Sequence, residues 1–134
     1  MIIKTLNGGI KMLDNELVGN EINNDFIDPL MVKTIDILNQ KGYVTAYCCQ
    51  GHYDSKYPNM TNGYIKFEYD VICKLLKRYK KVRLPRGVKF ESIHIIRFRC
   101  DGAEEEQEKQ IISINKALER WADRLPNITD IINS

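Results

Sequence analysis

The segment from Asn24 to Cys48, NDFIDPLMVKTIDILNQKGYVTAYC, limits the possible folds more narrowly than any other part of the chain. It predicts a helix with a defined start, because Asp28 can cap the helix and Pro29 suits its first position. Gly42 suits the position just past the helix end. The following residues, YVTAYC, are β-branched and aromatic and predict a strand. A helix joined to a strand by so short a connection is typical of a domain that packs helices on a sheet.

The remaining segments predict more elements of the same kind. Residues 64–69, YIKFEY, alternate between polar and apolar and predict a half-buried strand, whereas residues 71–81, VICKLLKRYKK, have helical periodicity. A third strand is predicted near Val88. Residues 92–100, SIHIIRFRC, predict a fourth, and its inward side chains are expected to be His94, Ile96, Phe98 and Cys100.

Residues 101–126 begin with acidic side chains and end at a proline, which predicts a long final helix. Its apolar seam consists of Ile111, Ile114, Leu118, Trp121 and Leu125. We therefore predict an α+β fold with a mostly antiparallel sheet of about four strands and about three helices.

The chain of 134 residues is expected to form one domain, because 43% hydrophobic and 28% charged residues are ordinary values for a globular protein. We assign residues 25–126 to this α+β domain, 1–24 to an N-terminal hairpin or mobile segment, and 127–134 to a C-terminal tail. No apolar run approaches the ~20 residues that span a bilayer, so we expect a cytoplasmic protein without membrane contact. Disulfides are not expected in that compartment.

The decapeptide from Tyr43 to His52, YVTAYCCQGH, ends the first predicted strand with polar side chains at the edge of the sheet. Strand ends and loops are common positions for binding groups, and Gly51 would let backbone amides approach an anion. Buried cysteines followed by an ordinary turn would explain the same residues without a site. The ligand-binding candidates are Cys49, Gln50, Gly51, His52, His94, Arg97 and Arg99.

Metal or thiol chemistry is the alternative for the same segment. The cysteines and histidines can supply zinc ligands, but there is no Cys-x-x-Cys pair, and adjacent cysteines on a strand point to opposite faces. We therefore predict no metal and no cofactor. A thiol nucleophile with His52 or His94 as base lacks an identifiable orienting residue, so catalytic residues remain unassigned.

The segment from Lys74 to Lys89 contains eight basic residues and no acidic one. Such a segment can track phosphates, although a solvated amphipathic helix often carries lysines as well. These cations can also pair with the acidic start of the final helix in a homo-oligomer. The candidates for nucleic-acid or anion binding are Lys74, Lys77, Arg78 and Lys81.

The segment FIDPLMVKTIDILNQKGYVTAYCCQGH resembles the N-terminal signature of the wybutosine-synthesis methyltransferase family, the third tRNA wybutosine enzyme group. The resemblance covers about residues 27–68, and the chain is similar also to small Firmicute and phage proteins with a Cys-x-Gly-His strand end. The sequence departs from the signature at Tyr47, Cys48 and Gln50, which replace serines, and at His52, which replaces arginine. The resemblance implies a related fold and a pocket at the same strand end. The matching positions are Ile27, Asp28, Asn39, Tyr43, Thr45, Cys49 and Gly51.

These features predict a binding protein for a nucleotide-like anionic ligand, either a small phosphorylated molecule or RNA, with a pocket at the Cys-Cys-Gln-Gly-His strand end. An RNA- or nucleotide-modifying enzyme of methyltransferase type is one alternative. An inhibitory, partner-binding phage protein is another. A homo-oligomer through the C-terminal helix is compatible with each of them.

Overall fold

The computed structural model describes residues 27–56 and 61–133. After a single 3-10 turn, Pro29–Met31, the chain forms α1 (Val32–Gln40), β1 (Thr45–Cys49), β2 (Asn62–Phe67), α2 (Asp70–Arg78), β3 (Val88–Phe90), β4 (Ile95–Arg99), α3 (Glu104–Arg124) and α4 (Ile128–Ile132). The predicted hairpin within residues 1–24 lies outside the described residues. The α+β prediction is confirmed, since three long helices accompany a four-stranded sheet.

The sheet has the strand order β1-β2-β4-β3, and every neighbouring pair is antiparallel. The central strands are β2 and β4, whereas β1 and β3 form the two edges. The start of β1 is joined to the end of α1 by Asn39, whose side chain accepts a hydrogen bond from Thr45 N at 2.9 Å and donates one to Thr45 Oγ1 at 3.1 Å. This bridge sets the position at which the edge strand begins.

One face of the sheet forms the core together with the helices. Ile96, Phe98 and Cys100 are buried as predicted, while His94 is only half-buried. The seam of α3 is also buried, with Ile114 partly exposed. Helix α2 ends at Arg78, three residues before the predicted end, because Tyr79 turns to extended backbone and packs its ring against the core.

Helix α4, which the sequence analysis does not predict, lies within the segment assigned to the C-terminal tail. Ile131 on this helix is buried, and the backbone N–H of Ile128 donates to the carbonyl of Lys41 at 2.8 Å. The hydroxyl of Tyr43 donates to the carbonyl of Pro126 at 2.6 Å. These contacts attach the last turns of the chain to the connection between α1 and β1.

None of the helices in the described ranges is both long enough and apolar enough to traverse a lipid bilayer.

Candidate functional site

The face of the sheet opposite the core carries aromatic and basic side chains. Cys49 pairs with Tyr64, Tyr64 with Arg97, and Lys89 with Arg97, so one row of residues crosses all four strands. Directly paired residues share a face, and the neighbours of Tyr64 along β2 are buried on the core side. We call this surface the open face; it consists of Tyr47, Cys49, Asn62, Tyr64, Lys66, Lys89, Arg97 and Arg99.

Two cations lie against tyrosine rings on the open face. The guanidinium carbon of Arg97 is 5.3 Å from the centroid of the Tyr64 ring, and the Lys66 ammonium is 5.7 Å from that of Tyr47. Both distances fall within the range of cation–π attraction. The Tyr47 residue is 66% exposed, so most of its aromatic surface remains in contact with solvent.

Arg97 is held in place by two further contacts. Its Nη1 donates to Asn62 Oδ1 at 2.6 Å, and its Nε donates to Glu91 Oε1 at 2.6 Å. The Arg97 side chain is 25% exposed. A guanidinium fixed in this way presents a planar, positively charged surface without further loss of side-chain entropy on binding.

A shallow pocket of about 320 Å³ lies at the end of the open face where β1 and β2 meet the start of β4. His94 contributes to it, and the Nδ1 atom of His94 is buried without a hydrogen-bond partner. The pocket therefore lies beside the exposed ring of Tyr47. Its lining consists of Ala46, Tyr47, Lys66, Phe67, Glu68 and His94.

The predicted ligand-binding residues consequently fall into two groups. His94 lies at the pocket, whereas Arg97 and the exposed Arg99 lie on the open face itself. The second group, Cys49–His52, lies at the end of β1, on the edge of the sheet. Through the pairing of Cys49 with Tyr64, the second group adjoins the open face.

A residue from before α1, Asp28, contacts the end of β1. Asp28, the expected helix cap, makes no capping hydrogen bond through its side chain. Its Oδ2 instead accepts a hydrogen bond from the backbone N–H of Gln50 at 2.9 Å and lies 3.0 Å from Nε2 of His52. We expected backbone amides of this turn to be available to an anionic ligand. The backbone N–H of Gln50 instead already donates to the Asp28 carboxylate.

Other hydrogen bonds hold this strand end against the helices. The backbone N–H of Leu30 donates to Gln50 Oε1 at 2.9 Å, and Asn115 on α3 donates to the Gln50 carbonyl at 3.0 Å. Gly51 has a φ of +98°, which turns the chain so that His52 returns toward Asp28. Gly51 is itself buried, so the turn packs into the fold.

The two adjacent cysteines have different environments. Cys48 pairs with the buried Ile65 and packs against the core, whereas Cys49 is on the open face. Burial raises the pKa of the Cys48 thiol to about 12, and the charge of Asp28 adds to the rise. Cys48 is therefore a protonated thiol at neutral pH, and Cys49 is the cysteine of this pair that lies on the open face.

The eight cations from Lys74 to Lys89 are all exposed. Within residues 27–56 and 61–133, none of them forms a salt bridge. Lys89 belongs to β3 and faces Arg97 across the strand pair, so the basic segment continues onto the open face. A second shallow pocket, of about 380 Å³, has Lys77, Lys80 and Arg83 beside the side chains of Leu76, Tyr79, Val82, Leu84, Phe90 and Trp121.

Comparison of the chain with protein-family models, curated proteins and solved structures gives no match. The resemblance to the wybutosine-synthesis methyltransferase family therefore stays a prediction, and the site has to be interpreted from its own geometry.

Sequence reasoning missed Asp28 and the tyrosines of the open face. The alternation in YIKFEY already placed Tyr64 and Lys66 on one face of a strand, which was the signal for half of that surface. The polar residues Cys49–His52 that directly follow the strand pattern were the signal for the strand end. No pattern in the sequence indicated that Asp28 would turn away from its helix.

Proposed function

We propose that the protein binds a nucleotide-containing anionic ligand, such as a short single-stranded RNA, on the open face of the sheet. This proposal rests on Tyr47, which is two-thirds exposed on the open face. The Lys66 ammonium lies over the Tyr47 ring. Proteins that read single strands commonly stack bases on aromatic side chains or on guanidinium planes. Tyr47 offers the first of these surfaces and Arg97 the second.

Charge on the same face favours a phosphorylated ligand. Lys66, Arg97 and Arg99 lie on or beside the stacking surface, and the exposed basic segment adjoins it through Lys89. Among the described residues, only the carboxylate of Glu91 forms a salt bridge with any of these four cations, which are Lys66, Lys89, Arg97 and Arg99. A ligand that combines a flat ring with phosphates matches both properties, whereas an acidic peptide would not use the exposed ring.

The end of β1 is a weaker candidate for the phosphates. A phosphate at His52 would lie beside the carboxylate of Asp28, which already occupies the Gln50 amide. Like charges at this separation repel, and removing the carboxylate would leave the amide unpaired. We therefore place the ligand on Arg97 and Lys66.

Fluorescence anisotropy with a labelled single-stranded RNA tests the proposal. Tyr47→Ala is expected to weaken binding by about 5- to 150-fold, because one stacked base contributes roughly 1–3 kcal/mol. Tyr69→Ala is the matched control, since Tyr69 is 56% exposed but lies beyond the end of β2. Arg97→Lys, which keeps the charge and removes the plane, is expected to weaken binding as well.

Salt dependence separates the contribution of the basic segment. In the double variant Lys77→Glu, Lys81→Glu, RNA affinity is expected to fall strongly and its dependence on salt to become shallower. Affinity for a mononucleotide should change by no more than a few-fold, since these side chains lie on α2 and not on the open face. If Tyr47→Ala binds RNA as tightly as the unmodified protein, or if Tyr69→Ala is equally impaired, the proposed face is wrong.

A further inference from the structure

We infer that Asp28, Cys49 and His52 form a binding site for one divalent transition-metal ion, with Zn²⁺ the best match. A carboxylate oxygen, a thiol sulfur and an imidazole nitrogen from these residues all lie within 4.8 Å of one another. The inference goes beyond the proposed function, since it requires neither the stacking residues nor the basic segment.

The distances suit a tetrahedral ion. Bonds of about 2.0 Å to oxygen or nitrogen and about 2.3 Å to sulfur place ligand atoms roughly 3.3–3.6 Å apart. Asp28 Oδ2 and His52 Nε2 are already 3.0 Å apart, close to that separation. Movements of about 1 Å would bring the sulfur into place, and the His52 side chain is 61% exposed and free to adjust.

The backbone brings these three side chains together before any ion binds. Cys49 and His52 are separated by two residues, and the positive φ of Gly51 turns both toward the same side. Asp28 directly precedes the 3-10 turn that leads into α1. Its carboxylate is oriented by the Gln50 N–H, so the ligand is positioned by a backbone donor that does not itself bind the ion.

Asn115 on α3 stabilises the backbone next to the cluster. It holds the Gln50 carbonyl from α3, and a second hydrogen bond to Ile111 O at 2.7 Å fixes the amide within its own helix. Asn115 does not contact a proposed ligand itself; it fixes the Gln50 backbone, whose N–H donates to the Asp28 carboxylate. The strand end is thus connected to α3.

The donor set selects the class of ion. Sulfur and imidazole nitrogen are poor ligands for Mg²⁺ and Ca²⁺, which prefer oxygen, but they suit Zn²⁺ and its neighbours in the first transition row. Three protein ligands leave one position of a tetrahedral ion for water or another small ligand. If Asp28 and His52 formed only an ion pair, they would contribute little to the free energy of unfolding, because ion pairs in contact with water are weak.

Titration of chelator-treated protein with Co²⁺, followed by displacement with Zn²⁺, tests the inference. We expect saturation at one ion per chain, a thiolate-to-cobalt charge-transfer band in the near ultraviolet, and visible bands of tetrahedral intensity. Cys49→Ser should lose the charge-transfer band, and Asp28→Asn and His52→Ala should weaken binding by roughly tenfold or more. Asn115→Ala, which acts only through the Gln50 backbone, should weaken it by no more than about tenfold while leaving the band in place.

Matched controls use the second histidine and a core cysteine. His94→Ala and Cys73→Ala should keep the affinity and spectrum of the unmodified protein, because neither residue belongs to the cluster. Zn²⁺ should also protect Cys49 from alkylation, as located by mass spectrometry of the digested protein. A circular dichroism spectrum and a cooperative urea transition establish that each variant is folded before it is titrated.

The inference is overturned if cobalt gives no thiolate band, or if a band persists in Cys49→Ser. It is also overturned if zinc binds with an affinity that none of the three ligand substitutions changes, which is the behaviour of loosely associated surface cations. Tyr47→Ala should bind zinc normally. Failure of the metal site and failure of RNA binding would therefore be recognised separately.

Discussion

Replacing Gly51 by alanine should lower the free energy of unfolding through the backbone alone. The added Cβ would find its nearest neighbour, Ile111 Cγ1, at 3.4 Å, which is ordinary van der Waals contact. The destabilisation therefore comes from the φ of +98°. An L-residue with a positive φ lowers the free energy of unfolding by about 1–2 kcal/mol. We expect the free energy of unfolding to fall by that amount.

Two other glycines make the comparison informative. Gly87 has a φ of +89° and no atom within 4 Å of the added Cβ, so Gly87→Ala should show the same loss of about 1–2 kcal/mol. Gly63 tests the opposite case, because its Cβ would overlap the Phe98 ring and approach the Cys49 carbonyl oxygen to 2.8 Å. Overpacking of this kind costs about 1–3 kcal/mol or more, without any backbone term.

Urea unfolding provides the measurement. Trp121 is the only tryptophan in the sequence and is 2% exposed, so its fluorescence reports loss of the core. Equal losses for Gly51→Ala and Gly87→Ala would support the turn geometry. If Gly51→Ala is as stable as the unmodified protein while Gly87→Ala is not, the turn that returns His52 to Asp28 is not formed as described.

Three further predictions concern other parts of the molecule. Lys41→Met should reduce stability by about 2 kcal/mol in the same urea assay, because the ammonium donates to three carbonyl oxygens at the end of α3, with distances of 2.6–3.0 Å. Glu91→Gln should raise RNA affinity a few-fold by anisotropy, because it removes the carboxylate paired with Arg97; unchanged or weaker binding would count against the open face. Burial raises the pKa of Cys73 from 9.0 to about 11; the folded state therefore holds the thiol proton more tightly, and the free energy of unfolding should fall as pH rises from about 9 toward 11. Cys73→Ala should show a shallower decline in urea titrations over that pH range, and an identical decline would contradict the assignment.

The fold was predictable because its signals are local. Pro29 at the start of the first helical turn, the alternation in β2 and β4, and the apolar spacing of α3 each specify an element from neighbouring residues. The short helix α4 was missed because five residues carry too little periodicity, and it is held by the burial of its own Ile131 and by the hydrogen bond from Ile128 N–H to the Lys41 carbonyl.

The site was predictable only in part, and for a different reason. Cys49 and His52 were identified from their position at a strand end, and Arg97 from its strand. Asp28 is 24 residues from His52 along the chain, and its role depends on how α1 packs beside β1. An aspartate before a helix looks the same in sequence whether its carboxylate caps that helix or, as here, contacts a strand end.

The attachment of Lys41 to the far end of the chain has a consequence for synthesis. The hydrogen bonds of Lys41 and Tyr43 with carbonyls of residues 122–126 join positions 81–84 residues apart. During translation, α1 and β1 leave the ribosome long before their partners exist, since chains grow by about 5–20 residues per second. α1 and β1 must therefore wait several seconds with these hydrogen bonds unformed, until residues 122–126 emerge.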